Sequence, residues 1–178
     1  MLIISRMSVI AVVIVGMAVS SVGFAGSALA AGPARTGTFK TWPAAQRAAG
    51  FKLLKPTKTF GLRRQGGINV MQCQSPTKLD VNALYARGKA SIYWDQTTFK
   101  FRCGNIGVAK RLGRYRVDGV WAELFGSCGV LSAPPCSSKK LYPLNLLWAK
   151  RGVSYLLSSD GIRRSTIVGF ARGLRAVR

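Results

Sequence analysis

Arg114-Tyr115-Arg116-Val117-Asp118-Gly119-Val120-Trp121-Ala122-Glu123-Leu124-Phe125 is the stretch on which the fold is decided. Basic and apolar residues alternate up to Val117, the two-residue period of a half-buried strand. Asp118-Gly119 is a turn pair that favours a two-residue hairpin, and a run of strand length, apolar except for Glu123, follows it. The segment is therefore expected to be an antiparallel hairpin.

Working outward, Phe99-Lys100-Phe101-Arg102-Cys103 shows the same alternation and is expected to be a strand. A second hairpin is expected between residues 144–149 and 154–157, turning through residues 150–152. Residues 51–54, ended by Pro56, and residues 68–73 read as further strands. Residues 80–88 are ambiguous: Asp80 suits a helix cap with Gly88 at the far end, although 81–86 also fits a strand, and helix or irregular structure is favoured. Near the start of the domain, Thr41 is placed to cap a helix with Trp42 and Pro43 in its first turn, running to Gly50. At the end, Ile167, Phe170, Ala171, Leu174 and Val177 share one face at helical spacing, so a C-terminal helix opened by Ser159 or Asp160 is expected. Gly169 and Gly173 form a small-x-x-x-small pair, which in a soluble domain indicates close packing rather than dimerisation. The expected fold class is α+β: an antiparallel sheet of about six strands with an N-terminal and a C-terminal helix packed on one face.

The first thirty residues are of another kind. Arg6 is their only charge, residues 7–19 are apolar, and small residues lead to Ala28-Leu29-Ala30-Ala31. These are the parts of a secretory signal peptide with cleavage after Ala30. The uncharged run 7–34 is also long enough for a spanning helix, but its small-residue exit favours cleavage. The expected organisation is a signal peptide over 1–30, a short flexible lead over 31–37 and one disulfide-bonded domain over 38–178, secreted or otherwise outside the cytoplasm. Cys73, Cys103, Cys128 and Cys136 all fall in the exported part, where disulfides persist. Three pairings are open. The expected one joins Cys73 to Cys103 and Cys128 to Cys136. Without histidine or a Cys-x-x-Cys, the cysteines do not form a zinc pattern.

The chain has 27 Lys and Arg against 5 Asp and Glu, a net charge of +22. That exceeds what solubility needs and creates a field that attracts polyanions. The basic residues are scattered as pairs such as Arg63-Arg64 and Lys139-Lys140, so a single basic tail is not their source. Lys100, Arg102, Arg114 and Arg116 are expected to share one exposed sheet face as an anion-binding patch. The aromatics of the same runs fall on the opposite face and read as core, whereas base-stacking platforms need them beside the charges. Nucleic acid binding is therefore expected to be non-specific, and an anionic envelope polymer or lipid surface is the better-fitting partner.

Ala48-Ala49-Gly50-Phe51-Lys52-Leu53-Leu54-Lys55-Pro56, Leu147-Trp148-Ala149-Lys150-Arg151-Gly152-Val153-Ser154-Tyr155 and Ile167-Val168-Gly169-Phe170-Ala171-Arg172-Gly173-Leu174 together resemble the motifs of a family of exported bacterial domains. Members of that family occur alone or attached to membrane-anchored anti-sigma-like proteins. The resemblance implies an extracytoplasmic α+β domain and, as an alternative function, a protein-interaction or sensor role at the envelope. It brings no catalytic residue, and the four cysteines and the high charge lie outside the family's pattern.

For chemistry, the absence of histidine removes the commonest general base and nucleophile partner. Asp118 and Asp160 are explained by a turn and a cap. A glycosidase-type pair of Asp95 and Glu123 is the remaining hydrolase candidate. The glycines form no phosphate loop, and neither cofactor nor metal is expected.

Overall fold

The computed structural model describes residues 35–73, 77–99, 109–128, 135–137 and 140–178. The expected signal peptide, Lys100, Arg102 and Cys103 lie outside the described residues. In chain order the elements are β1 (Gly37–Phe39), α1 (Trp42–Ala49), β2 (Leu54–Pro56), β3 (Arg63–Gln72), β4 (Leu79–Arg87), β5 (Ala90–Thr97), β6 (Lys110–Val117), β7 (Val120–Gly126), β8 (Leu144–Lys150), β9 (Val153–Asp160), α2 (Arg164–Arg172) and β10 (Leu174–Ala176). Eight strands form one antiparallel sheet in the order β1-β3-β4-β5-β9-β8-β7-β6, and β10 pairs with β2 in a separate ribbon.

This corrects the expected α+β class. Among the described residues the fold is mostly β, with an eight-stranded sheet in place of about six strands, a second two-stranded sheet, and helices of only eight and nine residues. Three local departures from the expected elements account for the difference. Gly37, assigned to the flexible lead, opens β1 and pairs with Val70. Residues 80–88, for which helix or irregular structure was favoured, lie largely in β4, which pairs along its length with both β3 and β5. The C-terminal helix begins at Arg164 because Ser159 and Asp160, its expected caps, continue β9 opposite Ile92 and Ser91. It also stops early: after Gly173 the chain turns into β10, whose Arg175 pairs with Lys55.

The hairpin signals correspond to real hairpins. Asp118 and Gly119 both have positive φ (48° and 80°), as do Arg151 and Gly152 (51° and 76°). Two consecutive left-handed residues match the strand twist, and glycine adopts the second without a Cβ clash. The first turn sets Val117 opposite Val120, and the second sets Lys150 opposite Val153. For α1, the Thr41 hydroxyl accepts from the Ala44 N–H at 3.4 Å and Gly50 terminates the helix.

The core occupies one face of the sheet. Trp94, Trp148 and Tyr155 stack there with ring centroids 5.2 to 5.7 Å apart. Ile167 and Phe170 of α2 join the same cluster as Ala45 and Ala48 of α1, and Phe170 meets Tyr85 edge-on at 5.5 Å. A Cβ on Gly169 would lie 2.7 Å from the Phe60 ring, so this glycine allows close packing within the chain. The small ribbon is tied to the sheet by Gln96, which is fully buried: its Oε1 accepts from the Leu54 N–H at 2.6 Å and its Nε2 donates to the Leu54 carbonyl at 2.8 Å. The amide thus replaces a neighbouring strand's backbone.

Cys128 and Cys136 are paired at disulfide distance, with Cα atoms 5.0 Å apart. Cys73 is also disulfide-bonded, and its expected partner, Cys103, is outside the described residues. The bonded pair is compatible with an extracytoplasmic protein. Among the described residues no helix is long and apolar enough to cross a membrane.

Candidate anion-binding site

Among the described residues the β6–β7 hairpin forms one edge of the large sheet. Its register places Arg116 opposite Trp121 and Arg114 opposite Glu123. Alternation then sends these side chains to the face away from the core, while Tyr115, Val117, Ala122 and Leu124 turn inward. Trp121 is 48% exposed. The guanidinium of Arg116 lies 4.4 Å and that of Arg114 5.0 Å from the centre of its ring. At such an exposed site each contact contributes about 0.5–1 kcal/mol.

Glu123 organises the rest of the patch. One of its oxygens lies 3.2 Å from Arg111 Nη2 and 4.0 Å from Arg114 Nε. Both partners are about half exposed, so these pairs orient side chains more than they stabilise the fold. Arg116 is steadied by a 2.8 Å bond from its Nη1 to the Gly119 carbonyl. From α2, Arg172 Nε donates to the Arg116 carbonyl at 3.2 Å. The result is three guanidiniums and one carboxylate around an exposed indole, a surface suited to holding anionic oxygens next to a partly apolar contact.

Arg114 and Arg116, expected in the patch from sequence, are thus together on one face. Lys100 and Arg102 fall outside the described residues. Arg111 and Trp121 complete the patch without a matching expectation from the sequence. The expectation that aromatics sit opposite the charges holds for Tyr115, which packs against the core, but Trp121 arrives from the partner strand beside the charges, so a missing exposed aromatic no longer counts against base stacking. Hairpin arithmetic contained that signal, because a two-residue Asp118-Gly119 turn fixes Arg116 against Trp121.

Asp95 and Glu123 do not form a hydrolase pair. The register runs Asp95, Leu156, Leu147, Glu123 across β5, β9, β8 and β7. Three strand spacings separate the carboxylates by roughly 14 Å, beyond the roughly 5 to 9.5 Å that glycosidic chemistry uses. Asp95 instead lies directly opposite Asn82, on the face that also carries Asp80. There Thr38 donates to Asn69 (2.8 Å), Asn69 to Asn82 (3.2 Å) and Asn82 to Asp80 (2.9 Å), a polar ladder across three strands. Burial, with Asp95 and Asp80 adding to it, raises the Tyr93 pKa well above the usual phenol value. Among the described residues no group of His, Cys, Asp and Glu could hold a metal ion.

No family model, curated protein or solved structure matches the chain. The family resemblance of the sequence therefore has no support from these comparisons.

Proposed function

We propose that this chain is an exported, non-enzymatic binding domain whose basic edge engages an anionic surface of the cell envelope, polymer or lipid. The observation that carries this reading is the exposed Trp121 flanked by Arg114 and Arg116. The guanidiniums supply charge-assisted bonds to phosphate or carboxylate oxygens, and the indole supplies an amphipathic contact of the kind enriched where one side is apolar and the other wet. Lys100 and Arg102 are assigned to the same surface from their alternation in sequence.

The test is retention of the purified, oxidised protein on envelope polymer, anionic vesicles and DNA over a salt series. Selective retention on one surface near physiological salt is expected. Loss of about 1 kcal/mol of binding per removed charge makes Arg114→Gln with Arg116→Gln roughly 30-fold weaker. Equal retention on all three surfaces, vanishing together as salt rises, would refute the proposal. A second reading, docking to an envelope protein, is favoured by Leu84 and Tyr93, which lie opposite each other on β4 and β5 and remain 39% and 36% exposed. Crosslinking in cells then captures one defined protein in place of a heterogeneous polymer.

A further inference from the structure

On the core side of the sheet, opposite to Trp121, the β2–β10 ribbon and the turns of two hairpins enclose a half-open cleft of about 520 Å³. That volume falls in the range of small-molecule sites. Its wall is apolar, made by Phe51, Leu54, Val153 and Leu174. Tyr155 lies in it, 6% exposed, with its phenol held protonated by burial and by the nearby Asp118. It is therefore a neutral group at ordinary pH.

The rim is cationic. Lys52, Lys150, Arg151 and Arg175 face a single carboxylate, Asp118. Two of the four are already engaged. The Lys150 ammonium sits 2.7 Å from both the Asp118 carboxylate and the Asp118 carbonyl oxygen, and Arg175 Nη1 donates to the Arg172 and Leu174 carbonyls. Lys52 and Arg151 make no ion pair among the described residues. Two free cations beside an apolar wall are complementary to a ligand that combines a negative head with an apolar body. A purely polar anion would leave the wall in water, and a neutral hydrocarbon would leave the charges unanswered.

We infer that this cleft binds an amphiphilic anion, a phosphate or carboxylate head on a short apolar body, with Lys52 and Arg151 taking the head and Phe51, Leu54 and Val153 the body. The site is separate from the Arg114–Trp121 edge and does not depend on it.

The experiment titrates the purified, oxidised protein with octyl phosphate, octanoate, octanol and inorganic phosphate, followed by calorimetry and amide chemical shifts. One or both octyl anions bind saturably, with shifts concentrated at residues 51–54, 151–153 and 174–176, and whichever binds names the head. Octanol and inorganic phosphate bind at least about tenfold more weakly, since each lacks half of the contact. Lys52→Gln with Arg151→Asn lowers affinity about tenfold. It leaves the urea midpoint in place, because asparagine tolerates the left-handed conformation at that turn. Arg114→Gln with Arg116→Gln leaves octyl anion binding unchanged even if envelope binding is lost. Octanol binding as tightly as the anions, shifts centred elsewhere, or wild-type affinity in the Lys52 and Arg151 variant would overturn the inference.

Discussion

Gln96 offers the sharpest test of how the fold holds the cleft in place. Its amide accepts from the Leu54 N–H and donates to the Leu54 carbonyl, which also receives the Trp94 indole N–H at 3.1 Å. Gln96→Leu removes both amide bonds. The Leu54 carbonyl keeps Trp94, but its N–H loses its partner in a part-buried site, a loss of about 2 kcal/mol. Gln96→Glu keeps the acceptor yet sets a carboxylate oxygen against the Leu54 carbonyl, in a position with no solvent access. An uncompensated buried charge destabilises by about 3 kcal/mol or more at pH 7. Protonation reverses this, because the carboxylic acid regains a donor for the carbonyl. The folded-state pKa of the introduced group is therefore raised above its unfolded value of about 4.3. Its favourable contribution is fully present below that unfolded value and is lost as pH rises through the folded pKa. Urea unfolding at pH 7 and near pH 4, each variant compared with the wild type at the same pH, should show the order wild type, leucine, glutamate at neutrality. In acid the glutamate variant should overtake the leucine variant. The same order at both pH values would refute the clamp.

Two further predictions concern stability. Replacing Cys128 and Cys136 together by serine opens a loop with a sequence separation of 8 and should lower the unfolding free energy by about 2.5 kcal/mol on chain-entropy grounds. Because the Tyr142 hydroxyl donates to the Pro135 carbonyl at 2.7 Å and accepts from the Ser137 N–H at 3.1 Å, adding Tyr142→Phe should cost more in the serine background than in the oxidised protein, as a double-mutant cycle would record. The second concerns alkali. Burial raises the pKa of Tyr85, Tyr93 and Tyr155, so the stability these phenols contribute is full below pH 10 and falls as pH rises above it. Their phenolate absorbance should appear together with unfolding, and a smooth titration of these three tyrosines in the folded protein would contradict it.

What the sequence revealed of this fold is what is encoded locally. Asp118-Gly119 and Arg151-Gly152 carry their own backbone conformations, so both hairpins were legible, as was the Thr41 cap. β4 was hidden because Asp80 and Asn82, residues that normally favour caps and turns, are instead buried in a polar ladder supplied by β1 and β3. β10 was hidden because its partner, β2, is more than a hundred residues away, and the apolar residues after Gly173 continue the helical spacing in sequence. The cleft was illegible for the same reason: its wall and rim come from the β2 region, the β6–β7 turn, the β8–β9 turn and the C-terminus. The arginine edge was half legible. Its charges were visible along β6, and its tryptophan only across the turn.

The arginines of β6 have an ordinary explanation, and Trp121 decides how far it reaches. Among the described residues β6 ends the sheet, and an unprotected edge strand invites pairing with another chain. Charged side chains along it, and an arginine from α2 on the Arg116 carbonyl, counter that hazard. Edge protection accounts for Arg111, Arg114 and Arg116 without any ligand. It does not account for an indole 48% exposed on the adjacent strand, because a large exposed aromatic beside an edge works against solubility and adds nothing to protection. Nor does packing require it there: the core is filled from the other face by Ala122 and Leu124, and the two cation–π contacts together contribute only about 1–2 kcal/mol. The two explanations separate at one substitution. Trp121→Ala leaves every edge charge in place, so protection predicts unchanged behaviour apart from that small loss of stability. A binding edge predicts weakened retention on the anionic surface at fixed salt, with the salt dependence itself preserved, since the charges that set it remain.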